Sequence, residues 1–254
     1  MNHDEMVKVT SDADNIYAGY ARSRPNYRAP TQPTELLACR EPVFRKHFLP
    51  LLPTERGAQI LDLGCGYGEF LYFLQRIGYT NANGVDLNDR QLEVGRSLGV
   101  RNLQLGDATT ILAESREEFD FISAIDVLEH VPKNKVLEIL EQIHSALRPG
   151  GRFVCQVPNL AAFYSPMFYM DFTHETPFTA PSLKQALQLS RFDHVRVLPM
   201  GPTAHGIKSA VRSVLWRGIT ACLRFVQTVE GGPQDALSSI YTAAILASAE
   251  KTDC

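Results

Sequence analysis

The chain is poor in several things, and each shortage excludes a class of protein. It has no run of roughly 18–20 apolar residues of the kind that crosses a bilayer as a helix, which argues against an integral membrane protein. It has no excess of positive charge: 25 Lys and Arg against 28 Asp and Glu give a net charge of -3. No basic face is therefore offered to phosphates, and no nucleic-acid partner is expected. Its 5 cysteines, Cys39, Cys65, Cys155, Cys222 and Cys254, form no C-x-x-C pair, and an odd count leaves one over in any disulfide scheme. They read as reduced thiols of a cytoplasmic protein. The opening stretch MNHDEMVKVTSDAD is acidic and polar, without the basic start and apolar run of a secretory leader. No repeat period is present, so a solenoid is not expected.

What is there is enough for one large core: 254 residues, 44% hydrophobic. Residues 1–58 carry Pro25, Pro30, Pro33, Pro42, Pro50 and Pro53, which keep most of that segment out of long regular elements. This part reads as an N-terminal extension or lid, with a short helix over 43–49. From Gln59 onward, short apolar runs (QILDL, ANGVD, NLQL, FDFISAI, RFVCQV) alternate with amphipathic stretches over 69–77, 89–98 and 133–147. That is the βαβ rhythm of a doubly wound, mostly parallel α/β sheet. A last strand is expected over 240–248.

The most informative stretch runs from Leu61 to Phe70: an apolar strand ending at Asp62-Leu63, then Gly64-Cys65-Gly66-Tyr67-Gly68, then a helix. A dinucleotide fingerprint, G-x-G-x-x-G, would need glycine at position 69, where this chain has Glu69. An acid at 62 also suits a ligand with an amino group and a positive centre better than a pyrophosphate. Three further acids follow strands: Asp86 in GVDL, Asp107 in GDA, and Asp126 in AIDVLEH. All lie at the carboxyl edge of the expected sheet, where open α/β folds bind ligands, and Asp86 stands where a ribose-binding carboxylate falls. Each alone could be a helix cap or a solvated acid.

Together, LDLGCGYGEF, GVDLN, GDAT, FDFISAIDVLEHV and LRPGGRFVCQVPN resemble the ordered motifs of class I S-adenosylmethionine-dependent methyltransferases, over residues 59–158. The resemblance implies a seven-stranded sheet with its last strand antiparallel, and S-adenosylmethionine as cofactor. It implies Gly64, Cys65, Gly66 and Gly68 beneath the methionine part, Asp86 and Leu87 at the ribose, and Asp107 with Ala108 at the adenine. Asp62 and the backbone near Asp126 would help to orient the amino-acid end. The string DFTHETPFTAPSL is also similar to methyltransferases of bacterial surface-polysaccharide biosynthesis, which implies a sugar hydroxyl as acceptor. An aromatic loop over 159–180 serves equally for a small phenol or quinone precursor.

Such an acceptor needs a base. His174 is the first candidate, with Asp171 as its orienter, and His130 is the second; either could instead be structural. No metal is expected, because Asp171, His174 and Glu175 lie too close in sequence to converge on one ion. Two flanks stay open. Residues 206–229 hold Lys208, Arg212, Arg217 and Arg224 but no acid, and read either as peripheral contact with an anionic membrane or as a helix pair packed on the domain or on a second copy in a homodimer. Tyr17, Tyr20, Arg22, Arg24, Tyr27 and Arg28 read as a lid over the cofactor or as a surface arm. A nicotinamide oxidoreductase and a non-catalytic cofactor-binding protein are the competing classes.

Overall fold

A computed structural model describes residues 28–163, 167–202, 207–232 and 238–252. Most of the tyrosine and arginine cluster near the N-terminus, from Tyr17 to Tyr27, lies outside these residues. Seven strands make one sheet: β1 (Ile60–Leu63), β2 (Ala82–Asp86), β3 (Leu103–Leu105), β4 (Phe119–Ile125), β5 (Leu147–Pro158), β6 (Asp193–Pro199) and β7 (Ala244–Glu250). Their order is β3-β2-β1-β4-β5-β7-β6, with β7 antiparallel to both neighbours and the other pairings parallel. This is the class I, Rossmann-like methyltransferase fold.

The helices are α1 (Pro33–Leu37), α2 (Glu69–Arg76), α3 (Asp89–Ser97), α4 (Ala108–Glu114), α5 (Val136–Ala146), α6 (Ala180–Leu189) and α7 (Ile207–Gly231). Side chains alternate across a strand, so β1 feeds two cores. Leu61 and Leu63 pack with Leu140 and Ile143 of α5 and Leu183 and Leu187 of α6. Ile60 packs on the other face with Phe70, Phe73 and Leu74 of α2. Burial on both faces is why the parallel strands read as unbroken apolar runs. Local chemistry sets the helix starts: the Asn88 side chain accepts from the Gln91 amide to cap α3, and Thr179 forms a reciprocal capping box with Ser182 at α6.

Several boundaries differ from the sequence reading, each for a tertiary reason. The helix expected from 133 begins at Val136 and stops at Ala146, because Leu147 already pairs with Phe119 as the first residue of β5. The last strand begins at Ala244 rather than 240, because the carbonyls of Ile240 and Thr242 accept both amide hydrogens of the buried Asn159. The 206–229 region is one helix, not a pair. The proline-rich segment holds a continuous helical stretch, Glu41–Val43, then a π-turn Phe44–Phe48 and a 3-10 turn Leu49–Leu51. Phe44 and Phe48 are buried against α2, with Phe44 ring centroids 5.1 Å from Phe70 and 5.5 Å from Phe73.

Among the described residues no helix is long and apolar enough to cross a membrane, and Cys39, Cys65, Cys155 and Cys222 form no disulfide. Because Phe48 is fully buried, Phe48→Ala is expected to cost about 3–5 kcal/mol in urea unfolding. A loss below about 1 kcal/mol would show that this segment only lies on the domain.

Candidate active site

The strand order reverses between β1 and β4, so the connections leaving their carboxyl ends diverge and open a crevice. That crevice is a cleft of about 310 Å³, the size of a small-molecule site. Of the residues nominated as cofactor ligands from the sequence, all but Gly68 line it. Gly68 is instead the N-cap of α2, at φ +78°. The turn is built from left-handed residues: a Cβ at Gly64 (φ +62°) would lie 2.6 Å from Val127 Cγ2, whereas one at Gly66 (φ +56°) would meet only the flexible Gln91 and Glu69 side chains, both of which line the cleft. Gly66 is thus where a ligand can approach bare backbone.

Asp86 holds this turn. Its Oδ2 accepts from the Gly66 amide and its Oδ1 from the Asn88 amide, both at 2.8 Å. Each oxygen keeps a lone pair for a ligand hydroxyl. Burial raises the Asp86 carboxyl above its ordinary value, against the pull of those two amides. Asp62 is 3% exposed and accepts a 2.7 Å hydrogen bond from Ser123 Oγ on β4. Burial pushes its pKa up to about 7, opposed by Ser123 and reinforced by the charges of Glu69 and Asp86. Burial also raises Glu69, with Arg40 opposing. Cys65 is buried and its thiol is pushed up by burial and the same acids, so it is no nucleophile.

Among the described residues the lining carries five carboxylates (Asp62, Glu69, Asp86, Asp107, Asp126) against one guanidinium, that of Arg40, 3.6 Å from Asp126. Such a field disfavours a pyrophosphate and suits a cationic ligand. Asp107 also caps α4 through Thr109, so the helix-cap reading and the lining position coincide there. Arg40, Phe44, Tyr67 and Gln91 also line the cleft. The sequence offered no signal for the first two, which come from the proline-rich segment.

At the mouth, the loop after β5 docks on the end of β4. Glu175 and Thr176 donate their amides to the Glu129 carbonyl, at 2.8 and 3.0 Å, and Thr176 Oγ1 donates to the Val131 carbonyl at 2.6 Å. This brings His130, Asp171 and His174 together, though not in the expected pairing. Asp171 accepts from Thr173 Oγ1 (2.7 Å), which in turn accepts from His130 Nδ1 (2.9 Å), so the carboxylate orients His130. His174 Nδ1 donates to the Phe168 carbonyl at 2.8 Å. Both rings are thereby oriented through Nδ1. His130 lines the cleft, and His174 stands against it with ring centroids 4.7 Å apart. A carboxylate oxygen of Glu129 and a ring nitrogen of each histidine lie within 4.8 Å of one another. That donor set could hold a divalent ion, and it differs from the Asp171, His174 and Glu175 weighed in the sequence.

Residues 38–197 match the protein family described as a methyltransferase domain. The chain belongs to that family. It is 31% identical over 119 residues to a demethylmenaquinone methyltransferase of Staphylococcus epidermidis, covering 44% of this chain and 48% of that protein. It is 33% identical over 100 residues to a ubiquinone biosynthesis O-methyltransferase of Shewanella pealeana, covering 37% of this chain and 41% of that protein. The chain thus spans about half the length of the curated relatives it matches. A SAM-dependent methyltransferase from Archaeoglobus fulgidus superposes with a TM-score of 0.61 at 22% identity, over 83% of this chain and 93% of that one. At that identity the likeness is one of fold.

The buried Asp62 generates a pH prediction. Its folded pKa of about 7 lies above the ordinary 3.8. The native state therefore holds a proton that the unfolded chain has lost, and stability without ligand falls as pH rises between those two values. Asp62→Asn is expected to flatten that slope, stabilising the ligand-free protein at pH 8 by on the order of a few kcal/mol in urea titrations. An unchanged slope would show that Asp62 ionises normally.

Proposed function

We propose that the protein is an S-adenosylmethionine-dependent methyltransferase that methylates an oxygen of a small planar acceptor of the phenol or quinone-precursor type. The observation that carries the cofactor is the cleft rich in carboxylates, with Asp86 tied to Gly66 at its centre. S-adenosylmethionine offers a methyl group on a positively charged sulfur that departs as a neutral thioether. In this reading Asp86 accepts hydrogen bonds from the ribose hydroxyls, Asp62 and Asp126 face the amino-acid end, and the bare backbone at Gly66 gives room beneath it.

His130 is the base. Its Nε2 lone pair, fixed by the relay from Asp171 through Thr173, takes the acceptor's hydroxyl proton as the oxygen–methyl bond forms and the sulfur–methyl bond breaks. His174 supports that ring from behind. What favours a planar acceptor is the row of rings at the mouth: His130 and His174 at 4.7 Å, then His174 and Phe168 at 5.4 Å. The quinone-pathway names of the two relatives above point the same way. The sugar hydroxyl, which would need the same base, is the competing acceptor.

Calorimetric titration tests the cofactor: S-adenosylhomocysteine is expected to bind and NADH not to, and Asp86→Ala to weaken the former at least tenfold, since two charge-assisted hydrogen bonds are lost. Undiminished affinity in Asp86→Ala would sink the assignment. For the base, His130→Ala is expected to lower turnover by roughly 10²–10⁴-fold with little change in S-adenosylhomocysteine affinity, and His174→Ala by less. Transfer of labelled methyl from the cofactor to phenolic extracts rather than to envelope glycans decides the acceptor, and label in the glycan fraction would replace it.

A further inference from the structure

α7 is an amphipathic helix turned the wrong way round for water. Between 208 and 230, the side chains that are not exposed are Ser209, Ser213, Trp216, Thr220, Leu223 and Gln227. They alternate in steps of four and three, which draws one narrow seam along the helix. The seam is largely polar and rests on the chain beside it: Ser213 Oγ donates to the Pro202 carbonyl, Trp216 lies 3.6 Å from where a Gly201 Cβ would stand, and the Gln227 side chain meets Ser238 and Tyr241. The face opposite the seam, which on a surface helix should be charged, is apolar. Val211, Val214, Leu215, Phe225, Val226 and Val229 point there, each 53–72% exposed.

The cations edge that face. At about 100° per residue, Lys208 and Arg212 fall along one margin and Arg217 and Arg224 along the other. The sequence shows them as two groups pointing apart; the structure shows the apolar face between them. Among the described residues none of the four enters an ion pair, and Glu230 is the helix's one acid.

We propose that α7 docks on an anionic lipid surface, its outward apolar face entering the acyl boundary and its flanking cations reaching lipid phosphates. Charge chooses this occupant over a second copy, because two such helices laid face to face would bring eight cations together with two Glu230 carboxylates to answer them. A second exposed apolar segment is tied to the seam side of this helix. In the loop after β5, Phe163, Tyr169, Met170 and Phe172 are 56–103% exposed. The Phe163 amide donates to the Tyr241 carbonyl, and the Tyr241 hydroxyl donates to Gln227 of α7. The loop that carries His174 is thereby joined to the docking helix. The inference goes beyond methyl transfer and stands or falls apart from it.

The test is co-sedimentation of the full chain with vesicles of phosphatidylcholine alone or of equimolar phosphatidylcholine and phosphatidylglycerol, with S-adenosylhomocysteine affinity measured on every variant as a check of folding. The chain is expected to pellet with the anionic vesicles only, and less in high salt. Arg212→Gln and Arg224→Gln should each weaken partition roughly fivefold, and Leu215→Gln with Phe225→Gln at least tenfold, all with unchanged nucleoside affinity. Protein left in the supernatant with both vesicles, or equal binding to both, overturns the proposal. So does a dimer in solution that the Leu215→Gln, Phe225→Gln pair converts to monomer. Loss of nucleoside affinity in the unmodified protein would sink the proposed function instead.

Discussion

The site is organised by one carboxylate, that of Asp86, which receives the Gly66 amide on one oxygen and the Asn88 amide on the other. Those two bonds join the end of β2 to the glycine turn after β1 and to the cap of α3. An ionised acid surrounded by apolar packing is costly, and Asp86, Asp62 and Glu69 crowd together where burial raises all three. Few cations in the cleft balance them, so these carboxyls gain from a ligand that brings positive charge with it. A ligand bearing an ammonium and a sulfonium is the natural counter-charge.

The same sheet edge brings a second set of groups to the mouth. β4 ends at Ile125, and the positive φ of Asp126 (+57°) turns the chain outward. The Gln156 carbonyl accepts the Asp126 amide and the Gln156 side chain donates to its carboxylate, tying the turn to β5. The loop leaving β5, held by the buried Asn159, then returns to the Glu129 carbonyl and delivers Thr173 to His130. The carboxylate cleft and the mouth proposed for the acceptor therefore share one wall, as the proposed transfer between two adjacent ligands requires.

α7 is inserted between the antiparallel pair β6 and β7, on the side of the sheet away from β3. Its polar seam accounts for how it stays on the domain, and its apolar outer face has no role in the core. A methyltransferase fold is thus combined with a surface that has its own physical demand, the removal of large exposed side chains from water.

Much of the architecture was legible from residues alone. The alternation from Gln59 onward, the missing glycine at Glu69 and the acids after strands are local signals, because strand burial, turn conformation and edge placement each leave their mark within a few neighbouring residues. What tertiary structure decided were the pairings between distant segments. Asp171 was read as the partner of its neighbour His174, yet it reaches His130 through Thr173, since docking of the loop on β4 sets that geometry and sequence spacing does not. Arg40 and Phe44 enter the cleft because a proline-rich segment folds back on α2 through aromatic contacts that no period announces. The charges of 206–229 are plain in the sequence, but which face of the helix meets water depends on a seam chosen by Pro202, Ser238 and Tyr241. Local chemistry is written along the chain, whereas the choice of partners is made only when the core closes.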